Sequence, residues 1–142
     1  MFRPLPKAEQ RRRSSSLLIK HILSGRSADV LEVHIRELLD TMLWKITEAD
    51  GKYTARYQSQ GAMEPGAKLH HEHVFQKKQM IDRLMAASED EIDGILADAC
   101  CCVVTRQEHQ RLKPYDNEYG WERYRKAGIF VIDTQTGKDI IG

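Results

Sequence analysis

Apolar side chains at Val30, Leu31, Ile35, Leu38, Leu39, Met42, Leu43 and Ile46 recur at steps of three and four, the spacing that gathers one face of an α-helix. Ser27 ahead of them offers a capping hydroxyl and Asp29 an acidic first turn, so the pattern predicts the strongest helix of the chain from Ser27 onward. It forms the back wall of the core, with His34 as a packing residue. An earlier helix is predicted from Ala8 to Leu23, with Leu17, Leu18, Ile22 and Leu23 on one side and Ser24-Gly25 as its stop. Lys52 to Tyr57 alternates and is aromatic, and Lys68 to Val74 also reads as strand. Gln58 to Ala67, with two glycines and Pro65, reads as loop. A further helix is expected over Gln76 to Ala87, with Met80, Ile81, Leu84 and Met85 inward.

Two capping boxes then punctuate the chain. In Ser88-Glu89-Asp90-Glu91 and Thr105-Arg106-Gln107-Glu108 the hydroxyl and the carboxylate satisfy free backbone N–H groups at a helix start. The first opens a helix to about Ala99, with Ile92, Ile95 and Leu96 inward. The second opens a helix that carries His109 in its first turn and is closed by Pro114. Between them Cys100 to Val104 is a short apolar run, hence a buried strand. A short helix over Gly120 to Lys126, ended by Gly128, packs Trp121 and Tyr124 on the core. Ile129 to Ile132 is the last strand expected, and Thr134 to Gly142 a loose tail.

The 142 residues suffice for one domain with a modest core, and 30% charged with 41% hydrophobic residues is a globular composition. No apolar run approaches the roughly 18 residues of a membrane helix, and no secretion signal is visible, so a cytoplasmic protein without membrane contact is expected. Cys100, Cys101 and Cys102 are adjacent, which suits reduced, buried thiols rather than bridges. The net charge of +1 conceals an asymmetry. Residues 1–26 carry seven Lys/Arg and one Glu (+6), and the remainder fifteen Lys/Arg and twenty Asp/Glu (−5). The organisation expected is a basic arm or helix over 1–26 and a single domain over 27–142.

Candidate chemistry concentrates in Lys68-Leu69-His70-His71-Glu72-His73-Val74-Phe75 and in Val103-Val104-Thr105-Arg106-Gln107-Glu108-His109. Imidazoles and a carboxylate are what a divalent ion and an activated water require. Glu72-His73-Val74-Phe75-Gln76 resembles the acidic/His-His-Ile/Val-x-Pro segment of the HNH, or His-Me finger, nucleases. Cys100 to His109 resembles that family's segment running from Asn through a hydrophobic strand to Thr-x-x-x-His. The resemblance covers about 15 positions inside Lys52 to Lys113. It implies an α+β protein in which N-terminal helices pack on a ββα-metal core, acting as a metal-dependent endonuclease on nucleic acid, DNA more than RNA.

Carried over by position, the resemblance makes Glu72 and His109 ligands of one divalent ion, Mg²⁺ first, with Mn²⁺, Ni²⁺ or Zn²⁺ as alternatives. It makes His73 the general base. A neutral imidazole of pKa near ~6.5 suits that task. Two positions depart from the pattern: Gln76 replaces Pro, and Cys100 replaces the Asn that orients the base. A thiol is a weak hydrogen-bond partner beside an amide, which leaves His71 or Asp98 as auxiliary candidates for that role, or else reduced activity. His70 and His71 are candidate extra ligands. Strand alternation puts His71 and His73 on one face and His70 and Glu72 on the other, so the resemblance requires the alternation to break near Glu72. Phosphate contact is expected from Arg11, Arg12, Arg13, Arg56, Lys77, Lys78, Arg106 and Arg111. Two rival readings stay open: a catalytically reduced nucleic-acid-binding module, and a structural zinc site built from His71, His73, His109 and a cysteine.

Overall fold

The computed structural model describes residues 2–141 and has α+β architecture, with six α-helices and a five-stranded mixed sheet among them. The helices are α1 (Ala8–Ser24), α2 (Glu32–Thr47), α3 (Lys77–Ala86), α4 (Ile92–Leu96), α5 (Arg106–Leu112) and α6 (Trp121–Ala127). The strands are β1 (Tyr57–Ser59), β2 (Leu69–His73), β3 (Cys101–Thr105), β4 (Val131–Asp133) and β5 (Lys138–Ile141). None of the described helices is long and apolar enough to cross a membrane.

The sheet runs β2-β3-β1-β4-β5. Only β1 and β3 are parallel, and the other neighbours are antiparallel. Helices lie on both of its faces, and α2 meets it through Trp44 and Thr47, which touch His71 and His73. On one side α1 to α4 share a core of Ile19, Leu23, Ile35, Leu39, Leu43, Met80, Leu84 and Ile95. The helix of the basic N-terminal region is therefore part of this core. On the other side Leu112 of α5 and Tyr124 of α6 pack on Cys102, Val104 and Val131 of the sheet.

Several expectations change. The predicted helix from Ser27 begins only at Glu32. The Ser27 hydroxyl accepts from Asp29 N, and its carbonyl from Val30 N, so it closes a local turn instead of capping the helix. Val30 and Leu31 consequently remain exposed. The strand expected over Lys52 to Tyr57 forms later, at Tyr57–Ser59, where the chain lies between β3 and β4. The expected loose tail contains β5, which returns antiparallel on β4 through a turn whose Gly137 has φ 72°. That left-handed backbone is one glycine adopts without strain.

β2 and β3 pair antiparallel in the register Leu69↔Thr105, His71↔Val103 and His73↔Cys101, and α5 follows β3 without a linker. Both capping boxes form. In the second, Glu108 N donates to Thr105 Oγ1 at 3.1 Å and Thr105 N to Glu108 Oε2 at 2.9 Å. Ser59 Oγ of β1 is a second donor to the same carboxylate, at 2.5 Å. The start of α5 is thus tied to two strands, and His109, one residue further, inherits a fixed position.

Candidate metal centre

β2 keeps its alternation through Glu72. Glu72 pairs with Cys102 and, like His70, points to the side of the sheet covered by α5 and α6. There Glu72 Oε2 meets His109 Nδ1 at 2.5 Å, with the imidazole N–H donating to the carboxylate. The His70 ring stacks on that of His109 at 3.7 Å between centroids, and its Nε2 is 3.6 Å from Glu72 Oε2. One ligand atom from each of His70, Glu72 and His109 can be chosen so that all lie within 4.8 Å of one another. Burial, and then the neighbouring His109, push the His70 imidazole below its ordinary pKa.

Arg123 of α6 fixes the carboxylate from behind. It is 2% exposed, its two Nη atoms lie 3.4 Å from Glu72 Oε1, and Nη2 donates to the carbonyls of His73 at 2.7 Å and Val74 at 3.2 Å. Glu72 thereby turns one oxygen to the guanidinium and the other to the histidines. Glu72 and His109 form part of the wall of a cleft of about 540 Å³ that Lys78, Lys113, Asp116 and Asn117 also line. Two imidazoles and one carboxylate make a mixed nitrogen and oxygen donor set. Such a set fits Zn²⁺ and its borderline neighbours better than Mg²⁺, which prefers oxygen alone.

The histidines expected beside the ligands are elsewhere. His71 and His73 face α2. His71 Nδ1 lies 2.8 Å from Lys52 O and its Nε2 3.3 Å from Thr47 Oγ1, while His73 Nε2 lies 3.4 Å from the same hydroxyl. The His73 ring meets Trp44 edge-on at 4.4 Å. It is 9% exposed, and burial pushes its pKa down to about 3. A ring so enclosed, on the face of β2 away from the Glu72 carboxylate, lacks the access to a water at the cluster that its activation needs. The structure therefore brings Glu72 and His109 together and leaves His73 on the opposite face, because the strand does not twist out of register between them.

The auxiliary candidates also fall outside the cluster. Cys100 accepts from Val74 N through its carbonyl, and burial pushes its thiol up to about 12. Asp98 lies 3.8 Å from Arg83. The zinc set of His71, His73, His109 and a cysteine does not assemble, since His109 is across the sheet from the other two histidines.

Of the eight cations expected to meet phosphate, four are engaged within the fold. Arg12 pairs with Asp50 at 2.7 Å and Lys77 with Asp40 at 3.0 Å. Arg56 grips Asp133 through two bonds of 2.8 and 2.6 Å, and Arg111 donates to the carbonyls of Ala127 and Gly128 at the end of α6. Arg11, Arg13, Lys78 and Arg106 are exposed, but only Lys78 lines the cleft. Sequence reasoning missed Arg123, Lys113 and Asp116 as neighbours of the site. A charged residue two places after Trp121 has the local pattern of the solvated side of a short helix, and nothing nearby in the sequence marks it as buried. Comparison with protein-family models, with curated proteins and with solved structures finds no match to this chain, so the likeness to HNH nucleases rests on the two short segments themselves.

Proposed function

We propose that the protein is a metal-dependent phosphodiester hydrolase acting on nucleic acid, DNA in preference to RNA, with an HNH-like β2-β3-α5 unit as its centre. The observation that carries this reading is the meeting of Glu72 with His109, two residues drawn from the two halves of the motif, beside the third ligand His70. In this reading His70, Glu72 and His109 hold one divalent ion. Such an ion polarises a phosphate oxygen and stabilises the departing alcohol oxygen. Lys78 and Lys113, both exposed on the cleft, attract the flanking phosphates. Arg123 keeps Glu72 aimed. Asp116, two-thirds exposed on the same cleft and 3.5 Å from Arg123, takes the proton from the attacking water, the task that the resemblance gave to His73.

One observation favours a second reading. With His73 sealed under Trp44 and a thiol where the family has Asn, the same unit serves as a nucleic-acid-binding module that has lost cleavage. A single assay separates the two. The full chain, stripped of metal, is incubated with supercoiled plasmid and Mg²⁺, Mn²⁺ or Zn²⁺, beside His109→Ala. Ion-dependent nicking that disappears in the variant supports the hydrolase. Salt-sensitive binding without nicking under every ion leaves the binding module, and equal nicking by parent and variant removes His109 from the chemistry.

A further inference from the structure

A cavity of about 340 Å³ lies where the two parallel strands begin, and it shares no residue with the cleft of Glu72 and His109. Four distant parts of the chain line it. Tyr57 opens β1 and Cys100 immediately precedes β3. Asp50 follows α2, and Arg12 comes from α1. Phe2 comes from the N-terminal segment, which is tied to the end of β4 by the bond of Phe2 N to Thr134 O at 3.1 Å.

The charged groups here use only part of their bonding capacity. Arg12 donates to Asp50 Oδ2 through Nη1 at 2.7 Å, and its Nη2 makes no hydrogen bond among the described residues. Asp50 Oδ1 is buried and has no hydrogen-bond partner among them. A buried carboxylate oxygen without a donor is unfavourable. The terminal torsion of an aspartate is soft, so the carboxylate can turn this oxygen towards a donor in the cavity. Arg56 grips Asp133 through Nε and Nη2, which leaves its Nη1 over. Charge decides what completes these groups. Arg12 and Arg56 are matched by Asp50 and Asp133, so the four together are neutral. Glu9, 3.7 Å from Arg12, is 90% exposed and screened by water. A simple anion would be repelled by the carboxylates already present, and a simple cation by the two guanidinium groups. A ligand that carries both charges adds none. Because Arg12 and Asp50 are bonded to each other, their remaining nitrogen and oxygen are neighbours, and the two charges of the ligand must be neighbours too.

We propose that this cavity binds a free α-amino acid with an apolar side chain. Its ammonium group donates to Asp50. Its carboxylate accepts from Arg12, with Arg56 Nη1 as a second donor, in bonds strengthened by charge on both sides. Its side chain packs on the apolar part of the lining, which Phe2, Pro4, Ile46 and Ala99 supply. The volume stands at the lower end of the roughly 300–1,000 Å³ of small-molecule sites, which suits a ligand of this size. Burial pushes the Cys100 thiol up to about 12, so it stays protonated, and the site binds its ligand without thiol chemistry. This inference does not depend on the metal centre.

Titration calorimetry and thermal unfolding of the metal-free full chain with leucine, valine, methionine and phenylalanine test it. At least one of them is expected to bind with one-to-one stoichiometry and to raise the unfolding midpoint as its concentration rises. The N-acetyl and the amide derivative of that amino acid each lack one charge, and each is expected to bind about tenfold or more weakly. Asp50→Asn is expected to weaken binding by a similar factor. Ala99→Leu narrows the cavity without touching an ion pair and is expected to do the same, with circular dichroism showing the fold retained. If either variant fails to fold, the two derivatives read the same contacts from the ligand's side. The absence of binding by every one of these amino acids at millimolar concentration overturns the proposal. So does binding that survives acetylation or amidation undiminished, or that is equal in the parent and a folded Ala99→Leu.

Discussion

Arg123 stands directly behind Glu72, with both guanidinium Nη atoms 3.4 Å from Oε1, while Oε2 of the same carboxylate faces His109 at 2.5 Å. The carboxylate is therefore shared between a permanent cation and two imidazoles, and its orientation is set by α6, an element outside both halves of the motif. Arg123 acts through Glu72 as a positioning residue. Arg123→Met leaves a buried carboxylate and two carbonyls without their donor, and a loss of about 3–5 kcal/mol in urea-induced unfolding is expected. Arg123→Lys keeps the charge without the planar fork. Its folded fraction is expected to bind Zn²⁺ or Mn²⁺ about tenfold or more weakly than the parent, the usual cost of losing a partner that orients a ligand. Unchanged affinity in a folded Arg123→Lys would show that α6 supports only the fold.

The helix that carries His109 is anchored through a second close approach. A Cβ at Gly61 would lie 2.4 Å from Glu108 Oε1 and 3.2 Å from Thr105 Cγ2. Glu108 cannot yield freely, because its carboxylate accepts from both Thr105 N and Ser59 Oγ. Gly61→Ala is thus expected to cost about 1–3 kcal/mol by crowding, and Thr105→Ala about 1 kcal/mol by loss of the cap. In Glu108→Ala the crowding at Gly61 vanishes. The double variant Gly61→Ala/Glu108→Ala should then be no less stable than Glu108→Ala alone, and additive losses would place the strain elsewhere.

What could be read from the chain tracks how local each signal is. α1, α3, α6 and both capping boxes rest on spacing and caps within a few residues, and they appear where the pattern put them. β1 and β5 depend on partners far along the chain. Tyr57 is in a strand because Cys102 and Asp133 flank it, and the stretch after Thr134 because β4 offers it an edge. At the site, alternation along β2 alone separates His70 and Glu72 from His71 and His73, and the structure keeps that separation. The transfer of the base role to His73 required the alternation to fail. Arg123 was illegible for another reason: its burial comes from the packing of α6 over the end of β2, which no nearby residue encodes.

The grip of Arg56 on Asp133 ties the chain just ahead of β1 to β4 and predicts a definite pH dependence. Hydrogen bonds from Arg56 hold the Asp133 carboxyl well below the usual carboxylate range, with Gln135 N adding a further donor. A group depressed in the folded state stabilises it above the unfolded pKa, near ~3.9, and that contribution is lost as pH falls through the folded value. Asp133→Asn is expected to be less stable than the parent by about 1–3 kcal/mol at neutral pH. The difference should begin to shrink below roughly pH 4 as the parent loses its own advantage. Urea titrations from neutral to strongly acidic pH measure both curves. A gap that stays constant through the acid range would mean that the pair contributes by shape and not by charge.

The separation of His73 from His109 yields a pair of variants with opposite signatures. His73 fills space between β2 and α2 against Trp44 and Thr47, so His73→Ala opens a cavity in a closed region, and a stability loss of about 1–3 kcal/mol is expected. Its side chain is across the sheet from the His70, Glu72 and His109 cluster, and the refolded or still-folded protein should bind Zn²⁺ or Mn²⁺ as the parent does. His109 is half-exposed at the cleft and bears little of the core, so His109→Ala should change the unfolding midpoint only slightly. It removes one of the three proposed ligands, and metal affinity should fall by about a hundredfold or more, in keeping with the weight of a direct ligand over an orienting neighbour. Titration calorimetry with each ion and urea unfolding on the same preparations give both numbers. If His73→Ala lost metal and His109→Ala kept it, the ion would belong on the α2 side of β2, and the assignment of Glu72 as its carboxylate ligand would fall with it, since Glu72 faces α5.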